Sequence, residues 1–178
     1  MWFRVRTLLG SLALQAGGTV AGAVVVAVLL FVLHEDVPMF QTPSLSGVWT
    51  MQVHTDESVH APFLDMTLWY TVLIAQEGTD VWGTGEKVYE DSSAFKGPYF
   101  GTDRTRFALK GTITKRYFRS DTLVIHYVEE GTIAQSSTVE VLRVQRRNQQ
   151  LVGGFQTTAG DSSGAATWVR GRHYPGRQ

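Results

Sequence analysis

The chain has 178 residues, of which 16 are basic and 16 acidic, and it contains no cysteine. Without cysteine it forms no disulfide bond and no thiolate metal site, and its redox compartment stays open. A chain of this length can bury one adequate hydrophobic core. We therefore expect a single folded domain.

The most apolar part of the chain comes first. Residues 7–33 form a run of 27 residues without a formal charge. As a helix this run would be roughly 40 Å long, enough for one crossing of a hydrocarbon core of about 30 Å but not for two. We predict a single transmembrane helix over residues 7–33, preceded by a basic flank at residues 1–6 and followed by a linker at residues 34–44.

A secretory signal peptide is the alternative to a retained anchor. Arg4 and Arg6 form a basic start and residues 21–23 resemble a cleavage site, but the apolar run is longer than a signal sequence requires. The two arginines precede the span, whereas Glu35 and Asp36 follow it, which favours an extracytoplasmic position for the rest of the chain. Two arginines are too few to decide the orientation.

Small residues recur within the predicted span. Gly18 and Gly22 form a G-x-x-x-G pair, a spacing that lets two transmembrane helices approach closely. Self-association through this pair is one interpretation. The other is that glycine is simply frequent in transmembrane helices.

After the linker, short runs with alternating polarity are separated by turn residues. In the first run Trp49, Met51 and Val53 share one face. Eight such runs occur, at residues 45–54, 66–76, 81–90, 104–115, 122–130, 137–146, 150–158 and 165–172. We predict an all-β domain over residues 45–172, with a C-terminal tail at residues 173–178.

Tight turns between consecutive runs favour an eight-stranded antiparallel up-and-down β-barrel, because closure removes exposed strand edges. Such a barrel has room for one small ligand. A β-sandwich is the alternative architecture. Charge is also unevenly distributed along the chain. Residues 37–103 hold nine acidic and two basic side chains, whereas residues 104–178 hold five acidic and twelve basic ones. The basic half either favours an anionic ligand or forms a solvated outer face.

The first strand begins with Gly47-Val48-Trp49, which resembles the G-x-W motif of the calycin barrels, the superfamily of lipocalins and avidins. The resemblance implies that Trp49 closes one end of the barrel and that an arginine of the last strand packs over it. Arg170 is the arginine at that place. A cation–π contact gives a physical reason for the pair.

The order of membrane segment, short linker and barrel resembles the membrane effectors of bacterial cyclic-nucleotide anti-phage signalling (CBASS-type). In those proteins the barrel binds a cyclic nucleotide, and ligand state controls assembly and membrane disruption. The resemblance implies cyclic-nucleotide binding, homo-oligomerisation and a cytoplasmic barrel. This chain departs from the pattern in having one clear span where two are usual, and in flanking charges that favour an external barrel.

Candidate ligand contacts come from the barrel interior and from two long loops, at residues 56–65 and 91–103. Aromatic residues on such loops either close over a ligand or cap the core. The candidates are Trp69, Tyr70 and Tyr127 from the strands, Phe95 and Tyr99 from the second loop, and Arg106 from the basic half.

Catalysis has weaker support. Residues 160–164 match G-x-S-x-G, but no helix, acid and histidine follow as a nucleophile elbow requires, and a hairpin turn explains the residues better. The five histidines have no metal-ligand spacing. Glu129 and Glu130 face opposite sides of a strand and do not form an acid/base pair. We expect no catalytic residue, metal or cofactor, and no DNA or RNA partner.

Three functions follow. The first is a membrane-anchored barrel that binds a small ligand, which the effector resemblance makes a cyclic nucleotide, and signals through oligomerisation in the bilayer. The second is a lipocalin-like carrier tethered outside the cytoplasm, with an apolar molecule against Trp69, Tyr70 and Tyr127. The third is an interaction module with a filled barrel. The sequence does not decide among them.

Overall fold

The computed structural model describes residues 22–29, 41–116, 119–131, 135–145 and 148–175. The chain forms two compact units, Met1–Gln41 and Thr42–Gln178. In the first unit, residues 22–29 are helical. Among the described residues no helix is both long and apolar enough to cross a bilayer. The rest of the predicted span, with Gly18, lies outside the described residues, so the transmembrane helix gains no support and stays a prediction.

The second unit is a closed β-barrel. Its strands are β1 (Gly47–Glu57), β2 (Thr67–Glu77), β3 (Asp80–Asp91), β4 (Lys96–Pro98), β5 (Arg106–Thr114), β6 (Thr122–Glu130), β7 (Gln135–Gln145), β8 (Gln150–Thr157) and β9 (Ser162–Arg170). All except β4 pair antiparallel with their neighbours along the chain, and β9 pairs back onto β1. This closure confirms the eight-stranded up-and-down barrel and excludes the sandwich.

The barrel has two ends, which carry different connections. The chain enters β1 at the lower end, where β2–β3, β5–β6 and β7–β8 are also joined. The upper end carries the other four connections, including a β3–β5 segment of residues 92–105, the lid segment. Strand β4 lies within the lid segment and pairs with the last residues of β3. The sequence did not predict this short strand.

The faces follow the predicted alternation. Trp49, Met51 and Val53 of β1 are buried, as are Ile125 and Tyr127 of β6. The same period holds in β5, where Phe107, Leu109 and Ile113 point inward. Each strand therefore contributes one apolar face to a single core, which is the arrangement expected of an antiparallel sheet with one wet side.

One glycine of β8, Gly153, lies where the backbone of a neighbouring strand comes very close. Strand β8 pairs in continuous register with both neighbours. A Cβ atom on Gly153 would lie 1.8 Å from the carbonyl oxygen of Val141. Glycine is required there because the neighbouring backbone approaches closely. The register shifts lie elsewhere, between Thr55 and Glu57 of β1 and between Trp69 and Tyr70 of β2.

Candidate functional site

The lower end of the barrel is closed by the two residues that the calycin resemblance pairs. The Arg170 guanidinium carbon lies 4.7 Å from the centre of the Trp49 ring. Arg170 also donates hydrogen bonds to the carbonyl oxygens of Ser44 and Ser46, both at 2.8 Å. Trp49 Nε1 donates to the Leu45 carbonyl oxygen at 2.8 Å. These contacts fasten the segment before β1 across this end.

The lumen contains a carboxyl group that is completely buried, midway along β7. Glu140 of β7 accepts a hydrogen bond from Trp168 Nε1 at 2.8 Å and another from the Tyr127 hydroxyl at 3.1 Å. Burial raises the pKa of Glu140 to about 7, because an ionised carboxylate loses its water, while the two hydrogen bonds act in the opposite direction. Glu140 therefore exchanges its proton close to neutral pH.

A second buried carboxylate, Glu129 of β6, lies beside the cation of β3. The Lys87 ammonium is 3.1 Å from Glu129 Oε1, and the Tyr70 hydroxyl donates to Oε2 at 3.2 Å. Among the described residues no hydrogen bond of good geometry reaches Oε1, so the Lys87 contact is an ion pair. Burial, followed by the Glu129 charge, raises the pKa of Tyr70. Tyr70 is therefore a neutral hydrogen-bond donor.

Between the two carboxylates, three aromatic rings fill the centre of the lumen. The Phe107 ring is stacked on Tyr127 with centroids 4.4 Å apart and meets Tyr70 edge-on at 5.5 Å. Gly85 of the neighbouring strand β3 is paired with Phe107, and a Cβ atom at Gly85 would lie 2.3 Å from Phe107 Cζ. Any side chain at position 85 would therefore clash with the Phe107 ring in its present position. These rings form an aromatic surface framed by polar groups.

The lid segment contributes a further aromatic residue to this region. The Tyr99 hydroxyl donates a hydrogen bond to Glu90 of β3, and its ring centre lies 5.8 Å from the Lys87 ammonium. Arg104 Nε holds the backbone by donating to the Tyr99 carbonyl oxygen at 3.0 Å. Burial and the Glu90 hydrogen bond raise the pKa of Tyr99. A ring carried by a loop therefore lies beside the lumen cation.

The sequence-predicted contacts are divided between the inside and the outside of the barrel. Tyr70 and Tyr127 are in the lumen, whereas Trp69 lies on the outer face, edge-on against Tyr89 at 5.3 Å. Neighbouring residues of a strand point to opposite faces. A lumen ligand that contacts Tyr70 and Tyr127 would therefore not contact Trp69.

The remaining predicted contacts lie on the lid segment and on the outer wall. Phe95 is exposed and packs against Tyr99 with ring centres 5.3 Å apart. Arg106 is 77% exposed, and its Nε lies 3.8 Å from Glu86 Oε2. It lines an open groove of about 880 Å³ on the outside of the barrel. Arg106 is thus separated from the lumen by the wall of β5.

Lys87, Glu129 and Glu140 were not among the predicted contacts, although the sequence carries a signal for them. Glu140 has the same parity in β7 as buried Leu142, and Glu129 has the same parity in β6 as buried Tyr127. Charged residues on the inward face of a strand are rare unless paired. Glu130, the neighbour of Glu129, is exposed, as the alternation predicts.

The charges of this region define what it can hold. The Lys87 ammonium pairs with Glu129, and two further carboxyl groups of this region, of Glu90 and Glu140, accept hydrogen bonds from Tyr99 and Trp168. A phosphate placed here would meet carboxylates at short range, where like charges repel strongly. Neutral or cationic aromatic groups would meet ring surfaces and hydrogen-bond acceptors instead.

The G-x-S-x-G residues form the predicted turn. A 3₁₀ turn at Ala159–Asp161 joins β8 to β9, and Gly160 has a positive φ of 63°. Ser162 Oγ donates to the Ala159 carbonyl oxygen at 2.7 Å. The hydroxyl is thereby engaged in holding the turn.

No protein-family model and no curated protein matches this chain. Its fold nevertheless defines a class of protein, since a closed, eight-stranded, antiparallel up-and-down barrel is consistent with a calycin-like fold. The closed lower end and the polar, aromatic upper lumen are the features from which a function can be argued.

Proposed function

We propose that this protein is a small-ligand-binding β-barrel anchored in a membrane by residues 7–33, and that it acts as a sensor rather than an enzyme. The ligand enters at the upper end, beneath the lid segment, and contacts Tyr70, Phe107 and Tyr127. Membrane anchoring rests on the uncharged length of the N-terminal run.

One observation carries the binding proposal, namely the charged cluster of half-buried Lys87 with buried Glu129 and Glu140 in a mainly apolar core. Removing such charges from water is costly, and apolar residues of similar volume would fill a purely structural core at no such cost. A buried ionisable group whose pKa is perturbed, as the pKa of Glu140 is by burial, is typical of functional sites. The cluster also lies below a loop, which provides a route of entry.

The charge balance of the cluster supports a neutral or cationic aromatic ligand. Such a molecule would stack on Phe107 or Tyr127 after displacing Tyr99, whose ring already lies against the Lys87 ammonium. An amine on the ligand would be attracted to Glu129 and Glu90. The ligand would thus take the place of the Tyr99 ring, and the lid segment would move when the ligand binds.

A cyclic nucleotide is the second candidate ligand. Lys87 supports it, because an ammonium beside aromatic rings can pair with a phosphate while a base stacks. The order of predicted membrane segment and barrel supports it as well. On this proposal, ligand-dependent association of barrels would align the anchors through Gly18 and Gly22 and disturb the membrane.

A charge series on one ring distinguishes the two ligands. The full chain in lipid nanodiscs is titrated with indole, tryptamine and indole-3-acetate, and separately with cyclic mono-, di- and trinucleotides, using calorimetry. We expect tryptamine to bind most tightly and indole-3-acetate most weakly. Cyclic nucleotides binding more tightly than tryptamine would establish the second candidate instead.

Glu129→Gln identifies the site, since it removes one lumen charge and keeps the shape of the side chain. It is expected to weaken tryptamine binding and to strengthen the binding of any nucleotide, because the two ligands have opposite charges. The matched control is Glu130→Gln, which removes the adjacent exposed charge and should change neither affinity. If no member of either series binds, the barrel is a filled interaction module.

A further inference from the structure

The lower end of the barrel carries arginines that form no ion pair with any described residue. Arg116 and Arg119 lie between β5 and β6, Arg143 lies near the end of β7, and Arg172 follows β9. All four residues are exposed. Within the described part of the chain, none of them forms an ion pair.

The cations near the upper end are arranged differently. Lys87, Lys96, Arg104 and Arg106 are each paired with a carboxylate. The ends of the strands here are acidic, with Asp56 and Glu57 at the end of β1, Asp91 at the end of β3 and Glu130 at the end of β6. The barrel is therefore electrostatically polar along its axis.

Three acidic residues also lie at the lower end and reduce its charge. Glu77 and Asp80 flank the β2–β3 turn, and Asp121 Oδ1 accepts a hydrogen bond from the backbone nitrogen of Arg116 at 2.7 Å. The four arginines above, with Lys115 and with Arg170 over Trp49, outnumber them. The lower end remains basic.

The polypeptide enters the barrel at this same end, at Gly47. Along the chain, residues 34–44 separate the barrel from the predicted membrane segment. Eleven residues extend at most about 40 Å, at up to about 3.6 Å per residue. The linker joins the barrel at its basic end, so a membrane that holds residues 7–33 lies within reach of that end.

We propose that the lower end, carrying Arg116, Arg119, Arg143 and Arg172, is a docking surface for anionic phospholipid headgroups; this rests on the membrane anchoring proposed above. Each arginine near an anionic leaflet strengthens binding roughly fivefold, and the attraction falls off within a Debye length of about 8–10 Å. Only the lower end is then attracted, and the acidic upper end points away with its lid free to open.

The docking surface also bears on the side of the membrane. Anionic lipids are concentrated in the cytoplasmic leaflet. Docking through the basic end would therefore favour a cytoplasmic barrel, as the effector resemblance implies, over the orientation favoured by Arg4, Arg6, Glu35 and Asp36.

The absence of cysteine allows a direct test with the full chain. A single Gln149→Cys at the lower end, labelled with a polarity-sensitive fluorophore, is compared with Ser93→Cys in the lid segment, both exposed positions. The proteins are reconstituted in nanodiscs of phosphatidylcholine, with or without phosphatidylglycerol. We expect phosphatidylglycerol to shift the emission to the blue at residue 149 only, and high salt to reverse the shift. Equal spectra in both lipids, or a shift at residue 93, would overturn the proposal.

Neutralising variants assign the effect to the named side chains. The variant in which four arginines are changed to glutamine, Arg116, Arg119, Arg143 and Arg172, should lose the shift. Because these exposed side chains form no ion pair with the described residues, the barrel should remain folded by circular dichroism. The control variant carries Lys96→Gln and Arg106→Gln, which neutralise two cations near the upper end, and should keep the shift.

Failure of the anchor gives a different result. If the chain does not enter nanodiscs, the membrane anchoring in the proposed function is refuted. The docking surface is then tested by flotation with phosphatidylglycerol vesicles. The wild type should bind these vesicles and the four-arginine variant should not. Tighter binding of single-stranded RNA than of these vesicles at the same salt concentration would show that the basic end serves another partner and would refute lipid docking.

Discussion

The buried carboxyl group of Glu140 makes a quantitative prediction about stability. Its pKa is raised from 4.5 to about 7 in the folded state, chiefly by burial. Between these values the folded protein binds more protons than the unfolded chain, so the free energy of unfolding falls as the pH rises. A difference of about 2.5 pKa units corresponds to about 3 kcal/mol. The folded state is therefore about 3 kcal/mol less stable above about pH 7 than it is below the unfolded pKa, where Glu140 is protonated in both states.

Glu140→Gln removes the titration and keeps the shape. The glutamine oxygen can accept from Trp168 Nε1, and its amide can donate to the Tyr127 hydroxyl, which accepts as readily as it donates. We expect the variant to match the wild type within about 1 kcal/mol at pH 4.5 and to exceed it by about 3 kcal/mol at pH 8.

Urea unfolding of both proteins in mild detergent, followed by the fluorescence of the buried Trp49 and Trp168, measures the difference at each pH. All other ionisable groups are common to both proteins, so their effects cancel in the comparison. Glu130→Gln on the exposed face of β6 is the control and should follow the wild type. Parallel curves for wild type and Glu140→Gln would refute the assignment of a raised pKa to this carboxyl group.

Three further changes test the closed end, the β8 backbone and the lid segment. Arg170→Met should lower the free energy of unfolding by about 2–4 kcal/mol, because it removes the Trp49 contact and several hydrogen bonds. In the same urea titration, Arg143→Met should change this free energy by less than about 0.5 kcal/mol, since the exposed Arg143 forms no ion pair with the described residues. Gly153→Ala should lower the melting temperature far more than Gly154→Ala, since its Cβ meets a backbone oxygen at 1.8 Å rather than 3.2 Å, and equal melting temperatures would contradict the close approach. Tyr99→Phe should speed amide hydrogen exchange in the lid segment about tenfold through loss of a bond to a charged acceptor, and unchanged exchange would mean that this bond does not hold the lid.

The sequence by itself determined the strands and their faces. Alternation with period two is a local property, so Trp49, Met51 and Val53 could be assigned to the core without any knowledge of neighbouring strands. Turn residues at the ends of consecutive runs then favoured the meander, and closure followed because it removes strand edges. The Trp49 and Arg170 contact was expected from a resemblance whose motif lies in the sequence.

Only the tertiary structure decided which polar groups meet in the lumen. Tyr70 and Glu129 are 59 residues apart, and Trp168 and Glu140 are 28 apart. Such contacts depend on the register of each strand pair and on the shift between Trp69 and Tyr70, which no local pattern specifies. The parity of the buried carboxylates was present in the sequence, but their partners and distances depend on how the sheet closes.

The separation of charge between the two ends of the barrel also depends partly on the sequence and partly on the tertiary structure. The sequence contains an acidic first half and a basic second half. In an up-and-down barrel, alternate connections fall at opposite ends, so the loops with Arg116 and Arg119 join the lower end while the lid segment joins the upper one. Composition fixed how many charges each half carries, but the path of the chain through the closed barrel decided where they gather in space.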